Sequence, residues 1–254
     1  MVPSYIIIPA RLASTRLPHK LLKRETGQPL IQHTYESAAR ARKPSGVVVA
    51  ADHPDIAAAV TQFGGTVRMT NPQAASGTDR IAEVAEHLPD FEILVNVQGD
   101  EPEIAGADID LAIELLEKNP QSVMSTLACP LRDEQRLRDP ACVKLVMDPQ
   151  QRALYFSRSP IPFPRDQPLA EALQADPPLF WQHIGLYAYR RDFLLQLRRL
   201  PRSPLELCEN LEQLRVLSNG YVIQVGIVAS AAAGIDTPAD YQAFVERHRR
   251  QAAA

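Results

Sequence analysis

Tyr5-Ile6-Ile7-Ile8-Pro9-Ala10-Arg11-Leu12-Ala13-Ser14-Thr15-Arg16-Leu17-Pro18-His19-Lys20 opens on a short apolar run and ends in a basic loop. Residues 5–8 show no polar alternation, the mark of a strand covered on both faces, as in a parallel sheet. Residues 47–50 and 93–97 read the same way. Helical patterns lie between and after them, at 31–42, 55–63, 79–87 and 108–118. Strand–helix–strand alternation with short connections predicts right-handed crossovers and an α/β, doubly wound, mostly parallel sheet. In such a sheet ligands bind beyond the carboxyl ends of strands, where the basic loop begins.

Further along, the pattern changes. Residues 125–129, 143–147, 153–156 and 184–189 read as strands without regular helices between them. Pro160, Pro162, Pro164, Pro168, Pro177 and Pro178 mark a long irregular stretch, expected to be a flap or an interface between copies. An amphipathic helix is expected at 205–217, with Leu207, Leu211 and Leu214 on one stripe. A strand at 222–228 and a helix at 239–249 close the chain. The expectation is a single domain over 1–254, in which 1–124 mainly binds one ligand and 125–220 forms a smaller mixed subdomain.

The 254 residues carry a formal net charge of −3, so no general basic excess exists to neutralise a nucleic-acid backbone. A polyphosphate must instead be met by local cations. The three cysteines, Cys129, Cys142 and Cys208, form no CxxC pair, which argues against zinc or a disulfide framework and for packed thiols in a reducing cytosol. No apolar run reaches the roughly 18 residues of a membrane span. A cytoplasmic protein with neither nucleic acid nor membrane as partner is expected. His33, His53, His87 and His248 show no partner pattern and read as surface or capping residues.

Five constellations carry chemistry. Arg11, Arg16 and Lys20 bring three cations into the loop after the first strand, with Ser14 and Thr15 adding hydroxyls. This is a polyanion cradle without a GxxxxGK[ST] or GxGxxG motif. Ser76-Gly77-Thr78-Asp79-Arg80 offers hydroxyls and a glycine able to admit close backbone approach, though it reads equally as a helix start capped by Thr78. Gln98-Gly99-Asp100 ends a buried strand in a turn that presents a carboxylate, and magnesium takes one or two carboxylates plus phosphate oxygens and water. Gly234-Ile235-Asp236-Thr237-Pro238 reads as a turn in which Asp236 or Thr237 caps the last helix, and Asp236, like Asp100, follows a strand, so the two can meet at one edge of the sheet. Arg158 suits a carboxylate ligand through its planar fork. His183, Tyr187, Glu212 and Gln213 offer polar contacts, with a core histidine and a solvated helix face as the competing readings.

The run PARLASTRLPHKLL resembles the nucleotide loop of the CMP-Kdo synthetase family, the 3-deoxy-manno-octulosonate cytidylyltransferases, many of which carry Gly where this chain has His19. SGTDR, VNVQGDEP and GIDTP resemble further segments of that family, as do YFSR, QHIGLY and LEQLRVL, which occur in that order. The resemblance implies a nucleotide-diphospho-sugar-transferase-like fold and coupling of CTP with the sugar acid Kdo to give CMP-Kdo and pyrophosphate, for lipopolysaccharide synthesis. It implies CTP contacts for Ala10, Arg11, Ser14, Thr15, Arg16, Lys20, Ala51, Asp52, Ser76, Gly77, Thr78, Arg80 and Gln98. Kdo contacts are implied for Gln98, Arg158, His183, Tyr187, Glu212 and Gln213, and Mg2+ ligation for Asp100 and Asp236. The implied reaction is an in-line attack by the sugar's anomeric hydroxyl on the α-phosphorus, with Asp100, Asp236, Lys20 and Arg16 as its main participants. A homodimer is the implied assembly.

Overall fold

The computed structural model describes residues 2–74 and 76–252. The chain forms two compact units, one taking in the residues up to Asp110 and again from Ala232 on, the other Leu111–Ala231. In the first unit the order is β1 (Ser4–Ala10), α1 (Leu30–Ala38), β2 (Val47–Ala51), α2 (Pro54–Gln62), β3 (Val67–Met69), α3 (Gly77–Ala85) and β4 (Ile93–Asn96). The start of α4 (Gly106–Lys118) follows, and the helix continues into the second unit.

The first unit's strands lie in the order β3-β2-β1-β4, all parallel. The doubly wound α/β expectation holds. β2 and β4 are buried at every residue, as the unbroken apolar runs require of strands covered on both faces. Ile6, Ile7, Ile8, Val49 and Leu94 have essentially no exposed surface. Burying each such side chain contributes roughly 1.5–3 kcal/mol. The order sets the function. Right-handed crossovers carry β1 to β2 and β2 to β3 in one direction, and β3 to β4 in the other. A crevice therefore opens beyond the carboxyl ends of β1 and β4, where the winding reverses.

The second unit contains β5 (Ser122–Pro130), α5 (Glu134–Arg138), β6 (Lys144–Met147), β7 (Ala153–Ser157), α6 (Leu169–Leu173), β8 (Trp181–Arg190), α7 (Arg191–Leu197), α8 (Pro204–Glu209), α9 (Gln213–Ser218) and β9 (Val222–Ile227). β5 is central, antiparallel to β8 and parallel to β9. β6 and β7 form a hairpin whose β6 also pairs with the start of β8. The unit begins ahead of residue 125, because α4 packs against β5: the Ser125 hydroxyl donates to the Ala112 carbonyl at 2.6 Å. α10 (Pro238–Ala252) belongs to the first unit.

Several sequence expectations change. The single helix over 205–217 is two helices. Asn210 breaks it with a left-handed backbone (φ 51°), which Asn tolerates better than most residues. A buried Glu206–Arg215 ion pair ties the two pieces together. Leu207 leaves the expected stripe and is exposed, while Leu211 and Leu214 are buried. Ser76, not Thr78, caps α3, accepting the Asp79 N–H at 3.0 Å. The proline-rich stretch contains α6, whose Ala172 and Leu173 pack with Leu131, Leu137 and Phe180. Of the cysteines, Cys208 is exposed. His53 caps α2, but His33 is buried, with its Nε2 2.7 Å from the Thr26 hydroxyl. Among the described residues no helix is long and apolar enough to cross a membrane.

Candidate active site

The crevice of the first unit holds a cleft of about 430 Å³. Its cationic wall is the loop after β1: Arg11, Arg16 and Lys20, with Ser14 and Thr15 between them. Ser76 and Gly77, at the start of α3, form another side. Gln98 and Asp100 enter from the turn after β4, and Asp236 from the turn before α10.

The loop is fixed from beneath. Asp52 accepts the Leu12 N–H at 2.9 Å, and its own N–H donates to the Ala10 carbonyl at 3.2 Å. Arg80 is fully buried behind it, donating to the Thr70 hydroxyl and the Asn71 carbonyl, with Nη2 3.6 Å from the Asp52 carboxylate. Ala10, Ala51 and Thr78 are buried as well. These five expected nucleotide contacts do not line the cleft, and Asp52 and Arg80 are engaged in holding the loop. Gly77 lines the cleft, and a close approach to protein backbone occurs at Gly99. A side chain on Gly77 would only touch Pro9 at 3.7 Å, whereas one on Gly99 would press to 3.0 Å from the Pro9 carbonyl. His19 takes a left-handed backbone (φ 52°), which glycine adopts without strain.

The two acidic turns converge. Lys20 Nζ lies 2.6 Å from Asp100 Oδ2 and 3.3 Å from Asp236 Oδ1, and donates its remaining hydrogen bond to the Ile235 carbonyl at 2.8 Å. Arg16 meets the same Asp236 oxygen at 2.9 Å. The Ile235 N–H donates to the Asp100 carbonyl at 2.9 Å, tying one turn to the other. Two carboxylates with one ammonium between them form a hard-oxygen site already shaped around a cation. Among the described residues no group of three or more His, Cys, Asp or Glu gathers as a metal cluster. The protein thus offers two carboxylates, leaving phosphate and water to complete a magnesium shell, and this donor set fits that ion.

Next to Asp100, the Glu101 carboxyl is buried, with Oε2 lacking a hydrogen-bond partner among the described residues. Desolvation, then the charges of Asp100 and Asp108, push its pKa up to about 8. The sequence reading missed this residue, and also Asp240, whose spacing in Thr237-x-x-Asp240 resembles a capping box with Asp in place of Glu.

The second unit gathers a different set. Tyr187, Glu212 and Gln213 line one small cavity with Met124 and Tyr189. Gln213 is buried, and its Nε2 finds no partner among the described residues. A bulge sets the register: Thr126 faces Tyr187 while Leu127 faces Ile184, so Gly185 and Leu186 are left over. The Thr126 hydroxyl bridges the strand there, 3.0 and 2.9 Å from the Ile184 and Leu186 carbonyls. With that proton directed to a carbonyl, His183 Nε2, 3.0 Å from the same oxygen, is the donor of their hydrogen bond. Burial pushes the His183 pKa down to about 3, so the ring is neutral. Its ring lies 5.5 Å from that of Tyr187.

Arg158 does not line this cavity. Its guanidinium donates to the carbonyls of Glu209 (2.6 Å), Pro140 (2.8 Å) and Asn210 (3.3 Å). The fork expected to meet a sugar carboxylate braces the chain at the end of α8.

A sequence profile described as Cytidylyltransferase matches residues 5–225. A 3-deoxy-manno-octulosonate cytidylyltransferase of Rhodopirellula baltica is 49% identical over 246 residues, covering 97% of this chain and 98% of the relative. One from Geobacter sulfurreducens is 49% identical over 244 residues, covering 95% and 97%. The solved structure of a CMP:2-keto-3-deoxy-manno-octonic acid synthetase complexed with CTP superimposes with a TM-score of 0.90 at 39% identity, covering 98% of this chain and 99% of that one. On these grounds, and with its cleft at the turn of a doubly wound sheet, the chain belongs to the 3-deoxy-manno-octulosonate cytidylyltransferase family.

Proposed function

We propose that the protein transfers CMP from CTP to the anomeric hydroxyl of Kdo, releasing pyrophosphate, and so activates Kdo for lipopolysaccharide synthesis. One observation carries the reading: three cations of the β1 loop and two carboxylates from separate turns meet in a single cleft. Cations suit a triphosphate, and the paired carboxylates suit Mg2+, held by Asp100 and Asp236. That ion, when bound, supplies Lewis-acid polarisation of phosphate and hydroxyl oxygens. Arg11, Ser14 and Thr15 bind and orient the triphosphate. Arg16 and Lys20 offset the charge that grows on the departing pyrophosphate. Ser76 and Gln98 hold the nucleoside side.

The acceptor is assigned to the second unit. The Gln213 amide, whose Nε2 has no partner among the described residues, with Tyr187 and Glu212 beside it, suits hydroxyls of a sugar acid. A group with its pKa near 3 is a poor base at neutral pH, so His183 serves as a neutral hydrogen-bonding group. Residues up to 124 belong mainly to nucleotide binding and 125–220 mainly to the acceptor. The protein works in the cytoplasm as a homodimer, and exposed Leu154, Leu205 and Leu207 offer apolar surface for a second copy to cover.

The test is pyrophosphate release with Mg2+ over a panel of nucleotides and sugar acids. Turnover with CTP and Kdo is expected. Faster turnover with a sialic acid, or none with Kdo, overturns the assignment. Gln213→Leu should raise the KM for Kdo about 10-fold with CTP binding unchanged, because sugar hydroxyls lose a buried partner.

A further inference from the structure

Asp240 lies outside the cleft lining, in the first turn of α10. Its Oδ2 accepts the Thr237 N–H at 2.8 Å and the Thr237 hydroxyl at 2.8 Å, while Thr237 Oγ1 accepts the Asp240 N–H at 3.2 Å. Those bonds are ordinary helix capping. One further bond is not. The same Oδ2 accepts the N–H of Asp236 at 3.1 Å, one residue ahead of the cap. That N–H belongs to the residue whose carboxylate enters the cleft, so Asp240 fixes the peptide from which the carboxylate projects.

The helix makes two more ties around the site. Tyr241 donates to the Glu25 carboxylate and accepts the Glu25 N–H at 3.1 Å, holding the segment just past Lys20. Arg247 forks onto Glu103, with Nη2 2.6 Å from Oε2, holding the turn that carries Asp100. Three residues of one helix thus reach the three chain segments that supply Asp236, Lys20 and Asp100.

We propose that Asp240 is a positioning residue that sets the Asp236 carboxylate opposite Asp100 before a divalent cation arrives. This rests on the reading of Asp100 and Asp236 as the metal-binding pair. Groups that hydrogen-bond around metal ligands typically change metal affinity 10–100-fold when removed. A helix-capping role alone predicts instead that Asp240 and Thr237 variants lose stability and leave the metal site alone.

The test uses Mn2+ as probe, titrated into the full chain and followed by the EPR signal of the free ion, with melting temperature measured in parallel. Asp236→Asn reports whether the site is the carboxylate pair. Asp240→Ala should weaken Mn2+ binding about 10-fold, Asp240→Asn should restore most of it through its remaining carbonyl oxygen, and Thr237→Ala should keep parental affinity while lowering the melting temperature. Parental Mn2+ affinity in Asp240→Ala, or equal weakening in Asp240→Ala and Thr237→Ala, overturns the positioning role while the metal reading stands. Parental affinity in Asp236→Asn overturns both.

Discussion

The cleft of the first unit and the small cavity of the second hold their polar groups by opposite means. In the cleft, charges neutralise one another in the open: Arg16 and Asp236 are 62% and 50% exposed and still paired. In the second unit the notable polar groups are buried instead: Gln213, on the cavity wall beside the partly exposed Glu212, has an amide with no partner among the described residues, and His183, its ring 5.5 Å from that of Tyr187, is desolvated. The first arrangement suits a ligand that brings several charges and its own cation. The second suits hydroxyls, because a buried amide or imidazole rejects a ligand that leaves it unpaired. On the proposed function, charge attracts and positions in one region, and desolvated hydrogen bonding discriminates in the other.

The largest expected effect breaks the charged region. Asp236→Asn should lower kcat roughly 10²–10³-fold with the fold intact, the usual scale for losing a preorganised charge at a reacting phosphate. Steady-state rates with circular dichroism check it, and near-parental turnover removes Asp236 from the chemistry.

A pH experiment sharpens the comparison, since each region buries one group away from its ordinary titration. His183 is held near 3 against 6.5, so the stability it contributes is present above 6.5 and lost as pH falls toward 3. Glu101 is held near 8 against 4.5, so its contribution is present below 4.5 and lost as pH rises through 8. Melting temperatures of the metal-free protein should show Glu101→Gln gaining on the parent between pH 5 and 9, and His183→Gln flattening the acid limb. Parallel curves for parent and Glu101→Gln would contradict the burial of that carboxyl.

The smallest effect lies in the β1 loop. His19→Gly should relieve the left-handed backbone at φ 52°, stabilising the protein by about 0.5 kcal/mol after the added entropy of an unfolded glycine. A fall in melting temperature would show that the His19 side chain has a role of its own.

Much of this was legible in the chain itself. Uninterrupted apolar runs give away β1, β2 and β4, and a loop with three cations after β1 locates the cleft. An acidic turn after a strand points to Asp100 only weakly, and the resemblance of VNVQGDEP and GIDTP to family segments singles out Asp100 and Asp236. Other features leave no local trace. Arg158 offers the same fork to a ligand or to main-chain carbonyls, and the three carbonyls it meets here come from a chain path around Pro140, Glu209 and Asn210 that local sequence does not mark. Arg80 and Asp52 resemble cleft residues in sequence but support the loop from within, Arg80 by its burial and Asp52 by accepting the Leu12 N–H. The break at Asn210 hides because Leu207 and Leu211 keep helical spacing across it, continued by Leu214. Ties such as Tyr241 to Glu25 join segments over 200 residues apart, where periodicity carries no signal.

The central claim is that Asp100 and Asp236 share one cation. Crystals grown with Mn2+ and CTP, measured at the manganese absorption edge, test it most directly. The account predicts an anomalous peak within coordinating distance of both carboxylates, with the Lys20 ammonium moved off the position between them. A peak touching neither aspartate, or manganese bound to the triphosphate alone while Lys20 still bridges the pair, would contradict it.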